Sequence, residues 1–291
     1  MSLYINLIQN ILNISNLKTQ IKLCSLCQEN NYFLKIYNLD ASNDLNNNIL
    51  EAFEASKINI TQEIIKQNKF NKLRELNIYD NDKIYDINFL KNTLEILDVS
   101  GNNSSITQEG IQQLTKLKKL NISNNFNIND INFAKNTLEI LKASGENCAI
   151  TQEGIEQLKK LKELDTSYNS KINNINFAKN TLEQLYVSGE LCGITQEGIE
   201  QLIKLKELNA SNNPKIKNVN FAENTLEKLD ASGELCGITQ KGIEQLIKLK
   251  ELNASNNPKI KNVNFAKNTL EVLIIPYNLD ITQEGKSFRC R

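Results

Sequence analysis

The apolar positions of this 291-residue chain keep time. Leucines opening an L-x-x-L-x-(apolar) pattern fall at Leu73, Leu94, Leu117, Leu138, Leu161, Leu182, Leu205, Leu226, Leu249 and Leu270, separated alternately by 21 and 23 residues. Leu50 lies 23 residues before Leu73 and starts the same series, giving about eleven units, the last incomplete. Pairs of units form a 44-residue repeat, visible as NTLE opening at Asn92, Asn136, Asn180, Asn224 and Asn268. Within each unit a short alternation predicts a strand, because successive side chains of a strand point to opposite faces. In "LKELNAS" Leu205, Leu208 and Ala210 point inward, and Glu207, Asn209 and Ser211 point outward. No single unit can bury its own leucines, so burial requires that each coil lie against the next. Each buried leucine then contributes about 1.5–3 kcal/mol.

The remaining fixed positions describe how each coil turns back. Asn81, Asn125, Asn169, Asn213 and Asn257 follow the strands of the shorter units, and an amide's donors and acceptor suit it to satisfying turn backbone inside a stack. Thr107, Thr151, Thr195 and Thr239 precede stretches such as "QEGIEQLIKL", which predicts a Thr-capped short helix with Ile199, Leu202 and Leu205 on its inner face. The shorter units return through segments such as "VNFAEN", too short for much helix, with Phe89, Phe133, Phe177, Phe221 and Phe265 predicted to stack outside the core. Cys148, Cys192 and Cys236, also 44 apart, are expected to stack as buried thiols rather than bind metal.

The stretch "LKELNASNNPKI" resembles the leucine-rich repeat, L-x-x-L-x-L-x-x-N-x-x-I, and the resemblance runs in register from residue 50 to about 281. The longer units, with "CGITQEGI" and "CGITQKGI", are similar to the cysteine-containing subclass, with Gln in place of its Asp and the cysteine two residues later. The resemblance implies an α/β leucine-rich-repeat solenoid, with parallel strands on a concave face and short helices and irregular returns on the convex face. It also implies a non-enzymatic scaffold that binds a protein partner along the concave face.

Residues 1–49 do not follow the repeat. "LIQNIL" and "LKTQIKLCSLCQENNYFLKIYNL" read as amphipathic helices and "DASNDLNNN" as a polar linker, so one expectation is an N-terminal helical cap over the first coil. The other is an F-box: Ile11 with Leu12, Leu17, Ile21 with Leu23, and Cys27 follow that motif's apolar order. The chain lacks the motif's opening Leu-Pro, since Asn6 follows Ile5, and no Trp follows Cys27. This second resemblance implies a substrate-recruiting subunit of a cullin-type ubiquitin ligase, with those six residues contacting its linker subunit. Cys24 and Cys27 form C-x-x-C, but no histidine or second close pair completes a zinc set.

Composition narrows the function. Lys plus Arg and Asp plus Glu are 34 each, so no overall field directs the chain to nucleic acid or membrane, and no apolar run spans a bilayer. Asparagine supplies about one residue in six. "MSLYINLIQNILNI" has no secretory features, which with the cysteine usage predicts an intracellular, cytoplasmic protein. With no histidine, the commonest general acid–base residue is missing, and no phosphate-binding glycine loop occurs. No catalytic residue, cofactor or metal site is expected.

Comparing the 44-residue copies with each other locates candidate partner-binding positions. The middle outward strand position of the longer units varies through Asp98, Lys142, Tyr186, Asp230 and Ile274, whereas Ser100, Ser144, Ser188 and Ser232 two places later are constant. Tyr186 is the candidate anchor, and Tyr79 and Tyr168 are expected to border the same groove. Neutral drift at exposed sites is the competing explanation. A third expectation is structural assembly, by self-association through the open C-terminal strand edge, unless the tail 282–291 or Pro276 prevents it.

Overall fold

A computed structural model describes residues 52–54, 60–66 and 70–275. The cap or F-box-like segment, with its six candidate contacts, and the chain beyond Ile275, with Pro276, lie outside the described residues.

Among the described residues, eleven three-residue strands form one parallel sheet in strict chain order. They are β1 (Ala52–Glu54), β2 (Glu75–Asn77), β3 (Ile96–Asp98), β4 (Lys119–Asn121), β5 (Ile140–Lys142), β6 (Glu163–Asp165), β7 (Gln184–Tyr186), β8 (Glu207–Asn209), β9 (Lys228–Asp230), β10 (Glu251–Asn253) and β11 (Val272–Ile274). Every pairing joins equivalent positions of adjacent units, as with Leu164↔Leu185 and Leu185↔Leu208. The pairing continues past the strands: Ile122 N–H donates to Lys142 O, and Asn124 N–H to Ser144 O, at 2.8 and 2.9 Å. Inward residues such as Leu205, Leu208 and Ala210 are fully buried, and one apolar core runs from Ile60 to Leu273. The phenylalanine column is half-buried against that core.

The polar columns close the turns. Asn125, fully buried, donates Nδ2–H to Val99 O at 2.9 Å and accepts from Asn127 N–H and Ile128 N–H at 2.9 and 3.2 Å. Asn169, Asn213 and Asn257 make the same reach to the carbonyls of Ala143, Val187 and Ala231. Cys148, Cys192 and Cys236 are buried free thiols against the carbonyls of Ile122, Thr166 and Ala210. Burial pushes each thiol up from 9.0 to about 11.

The returns differ from expectation. The Q-E-G-I-E-Q-L stretches form no α-helix. They run as successive tight turns, with Gly198 N–H on Thr195 O, Ile199 N–H on Gln196 O and Leu202 N–H on Ile199 O. Only Gln240–Gly242 there is 3₁₀-helical, and Thr239 makes no side-chain cap bond. The single α-helix among the described residues is the four-residue Gln62–Ile65. Regular 3₁₀ turns occur instead where little helix was expected, at Asn88–Leu90, Asn132–Ala134, Asn176–Ala178, Asn220–Ala222 and Asn264–Ala266.

Cross-coil bonds explain the reversal. Asn176 donates to Glu197 O at 2.7 Å and accepts from Gln201 N–H at 3.0 Å, capturing a backbone donor that a helix would use within itself. Gln196 Oε1 accepts from Lys217 N–H and Asn218 N–H, and its Nε2–H donates to Asn218 O. Gly154 presses on the neighbouring coil so closely that a Cβ there would lie 2.0 Å from Asn129 O. Each 3₁₀ turn is in turn started by a side chain, as when Asn174 Oδ1 accepts from Asn176 N–H at 2.9 Å.

Candidate functional site

The outer face of the sheet carries two rows of outward side chains. The first strand position holds Glu75, Ile96, Lys119, Ile140, Glu163, Gln184, Glu207, Lys228, Glu251 and Val272. The third holds Asn77, Asp98, Asn121, Lys142, Asp165, Tyr186, Asn209, Asp230, Asn253 and Ile274.

Most of the third row is occupied with the backbone. A side-chain oxygen at this position accepts the N–H two residues on, as in Asn121 with Ser123 N–H at 3.1 Å and Asp165 with Ser167 N–H at 2.9 Å. Asp98 and Asp230, both predicted to vary for recognition, make the same bond to Ser100 and Ser232, and each also accepts from the amide of Asn121 or Asn253. They are tied into the scaffold. Lys142 and Tyr186 cannot make this bond. The orphaned Ser144 N–H and Ser188 N–H go instead to the hydroxyls of Ser123 and Ser167, each at 3.3 Å. Lys142 is exposed and Tyr186 half-buried, and neither side chain bonds the turn backbone.

Tyr186 lies between Asp165 on β6 and Asn209 on β8 in register. Its hydroxyl donates to Glu207 Oε1 at 2.8 Å. Burial, then Glu207, and then the fields of Glu163 and Asp165 hold the phenol well above its ordinary range, so it stays a neutral donor. Tyr79 and Tyr168, 49% and 48% exposed, lie in the turns beyond β2 and β6 rather than on the strands. Tyr168 adopts φ 59°, a conformation its counterparts Asp80, Asn124, Asn212 and Asn256 take as well, and its ring lies over Gly189. Ile274 is half-buried on β11. The predicted residues therefore form a line from β2 to β11, and only Lys142, Tyr168 and Tyr186 share the β5–β7 region.

The repeat pattern marks Glu207 only as an outward strand residue and singles out neither Glu163 nor Asp165. The signal for Asp165 was available: the other copies have Asn77, Asn121, Asn209 and Asn253 at its place. A further feature is the alternating rim just before the strands, where Lys118, Lys162, Lys206 and Lys250 bridge Glu95, Glu139, Glu183 and Glu227 at 2.7–2.8 Å. These pairs are exposed and contribute little to stability.

In-register L-x-x-L-x-L strands, stacked in parallel and closed by a buried asparagine column, decide the architecture. The fold is a leucine-rich-repeat solenoid. No family model matches this solenoid's sequence, and no curated protein matches it. Similar solved structures include an internalin (inlF) from Listeria monocytogenes, at 21% identity and TM-score 0.46, covering 74% of this chain and 71% of that one. The functional domain of InlJ from the same organism, described as including a cysteine ladder, has 18% identity and TM-score 0.49 and covers 80% and 60%. An internalin C2 from that organism has 19% identity and TM-score 0.40, covering 78% and 80%.

Proposed function

We propose that the chain is a non-enzymatic scaffold that binds a protein partner along the outer face of its sheet. The observation that carries this reading is the release of Lys142 and Tyr186 from the backbone bond made throughout the rest of the described row up to Asn253, with serine hydroxyls of the neighbouring coil taking it over. The two positions can then change without cost to the turn, while the leucine and asparagine columns stay constant. A rigid array presenting a varied row suits recognition of an extended protein surface.

The test is affinity capture from the native cell with the full chain and with Lys142→Ser/Tyr186→Ser. Ser adds no backbone strain at either position, so circular dichroism should be unchanged while the captured partner is lost. Equal capture by the double variant would refute the reading.

A further inference from the structure

We propose that the β6–β8 part of this face receives a lysine or arginine side chain of the partner protein, with Tyr186 as its aromatic wall and Glu163, Asp165 and Glu207 as its counter-charges. The proposal rests on the reading of the outer face as a binding surface and specifies the chemistry of what binds there.

The first argument is charge left unanswered. Along the rim, Glu95, Glu139, Glu183 and Glu227 each have a lysine within 2.8 Å, and on the sheet face Glu251 has Lys228 at 2.9 Å. Glu163, Asp165 and Glu207 make no ion pair within 4.0 Å among the described residues. The nearest cations by register do not change this. Lys142 stands across from Asp165 without bridging it, and Lys228 stands across from Glu207 but turns to Glu251 on its other side.

The second argument is that the charge on Asp165 is surplus to the fold. Its backbone role is to accept Ser167 N–H, at 2.9 Å, and the neutral Asn121, Asn209 and Asn253 perform that role at 3.1, 3.0 and 3.1 Å. An aspartate here adds only a negative charge, on the strand beside Tyr186.

The third argument concerns shape. The phenol keeps its proton and donates a hydrogen bond to Glu207, so the carboxylate is oriented while the ring stands beside it. The carboxylates do not gather into a metal-binding group. They lie on β6 and β8, on either side of Tyr186 on β7, with neighbouring strands about 5 Å apart, an arrangement suited to a guanidinium or ammonium with an aliphatic stem rather than a small ion. Tyr168 and Leu191, 48% and 51% exposed on the turns after β6 and β7, offer apolar surface at the same end of these coils.

Binding of a fluorescein-labelled (Arg-Ala)₄ peptide to the full chain, read by fluorescence anisotropy, tests the proposal. Saturable one-to-one binding is expected, weakened about tenfold or more by Glu163→Gln/Asp165→Asn/Glu207→Gln and severalfold by Tyr186→Leu. The control Glu139→Gln/Glu183→Gln/Glu227→Gln removes as many charges from the rim and should change affinity less than about twofold. Absence of saturable binding, or equal weakening by both triple variants, would overturn the proposal. A cellular partner lost on Lys142→Ser/Tyr186→Ser but retained on Glu163→Gln/Asp165→Asn/Glu207→Gln would leave the binding face standing and remove the cation-recognition reading alone.

Discussion

Replacing Asn125 by Ala tests the physical basis of the solenoid at one residue. The side chain makes three bonds, and two of the groups it serves, Val99 O and Ile128 N–H, belong to fully buried residues. The third partner, Asn127 N–H, lies on a half-buried residue where water can substitute. Two orphaned buried groups at about 1–3 kcal/mol each give a loss of about 2–6 kcal/mol. Partial relaxation around the smaller side chain favours the lower half of that range, about 3 kcal/mol. Urea unfolding followed by circular dichroism should show a midpoint lowered by about 1 M if m is near 3 kcal/mol/M. The exposed Asn102, whose oxygen accepts only from Asn147, is the control, with an expected effect below about 0.5 kcal/mol for Asn102→Ala. Asn125→Asp supplies a second readout. It keeps the acceptor for the two N–H groups but turns a carboxylate oxygen toward Val99 O, so its native state favours the protonated acid. Its deficit should therefore shrink as pH falls and the carboxyl gains a proton that it can donate. A loss for Asn125→Ala no greater than for Asn102→Ala would refute the argument that this column satisfies the turns.

Other expectations can be measured on the same protein. Gly154→Ala forces a Cβ against Asn129 O and should lower stability by at least about 2 kcal/mol in the same urea assay; an unchanged midpoint would show that the coils can separate there without cost. The buried thiols of Cys148, Cys192 and Cys236 should resist a thiol reagent at pH 8 until urea is added. Their native pKa, raised from 9.0 to about 11, means that the unfolded chain loses protons first. Their contribution to stability should be complete below about pH 9 and disappear as pH rises through about 11, with a shallower decline in Cys148→Ala/Cys192→Ala/Cys236→Ala. Tyr186→Phe should remove a phenol that titrates well above the ordinary range from an ultraviolet titration, with little change in stability.

The inward rows were legible because burial leaves a periodic apolar trace. Leu205, Leu208 and Ala210 follow the strand period, and the unbroken recurrence at 21 and 23 residues requires stacking. The asparagine and cysteine columns were legible for a related reason: a polar or thiol residue fixed in phase with a core has to meet the same surroundings in every coil. The returns were not legible. Judged alone, "ITQEGIEQL" has the cap and spacing of a helix, but its backbone groups are claimed by the Asn176 side chain 21–25 residues away, and its own Gln196 side chain is drawn to the next coil. Local propensity contains no record of those partners. The same limit applied on the sheet face, where Asp98 and Lys142 both looked like variation and only the structure shows that one is bound to the turn.

That difference bears on whether the varied row reflects drift. Exchange between Asn and Asp leaves the turn bond intact, so Asp98 and Asp230 are changes the scaffold scarcely registers. Lys and Tyr lose the bond and require a serine of the preceding coil to replace it. Drift gives such losses no reason to occur together. Among strands β2 to β10 they fall on β5 and β7, on either side of β6, the one strand of the shorter units whose outward asparagine has become aspartate. Three departures from the repeat thus fall on three consecutive strands. Two free a side chain from the fold, and one adds a charge that the fold does not use. This clustering agrees with the proposed binding face around Tyr186 better than with one spread along the whole row.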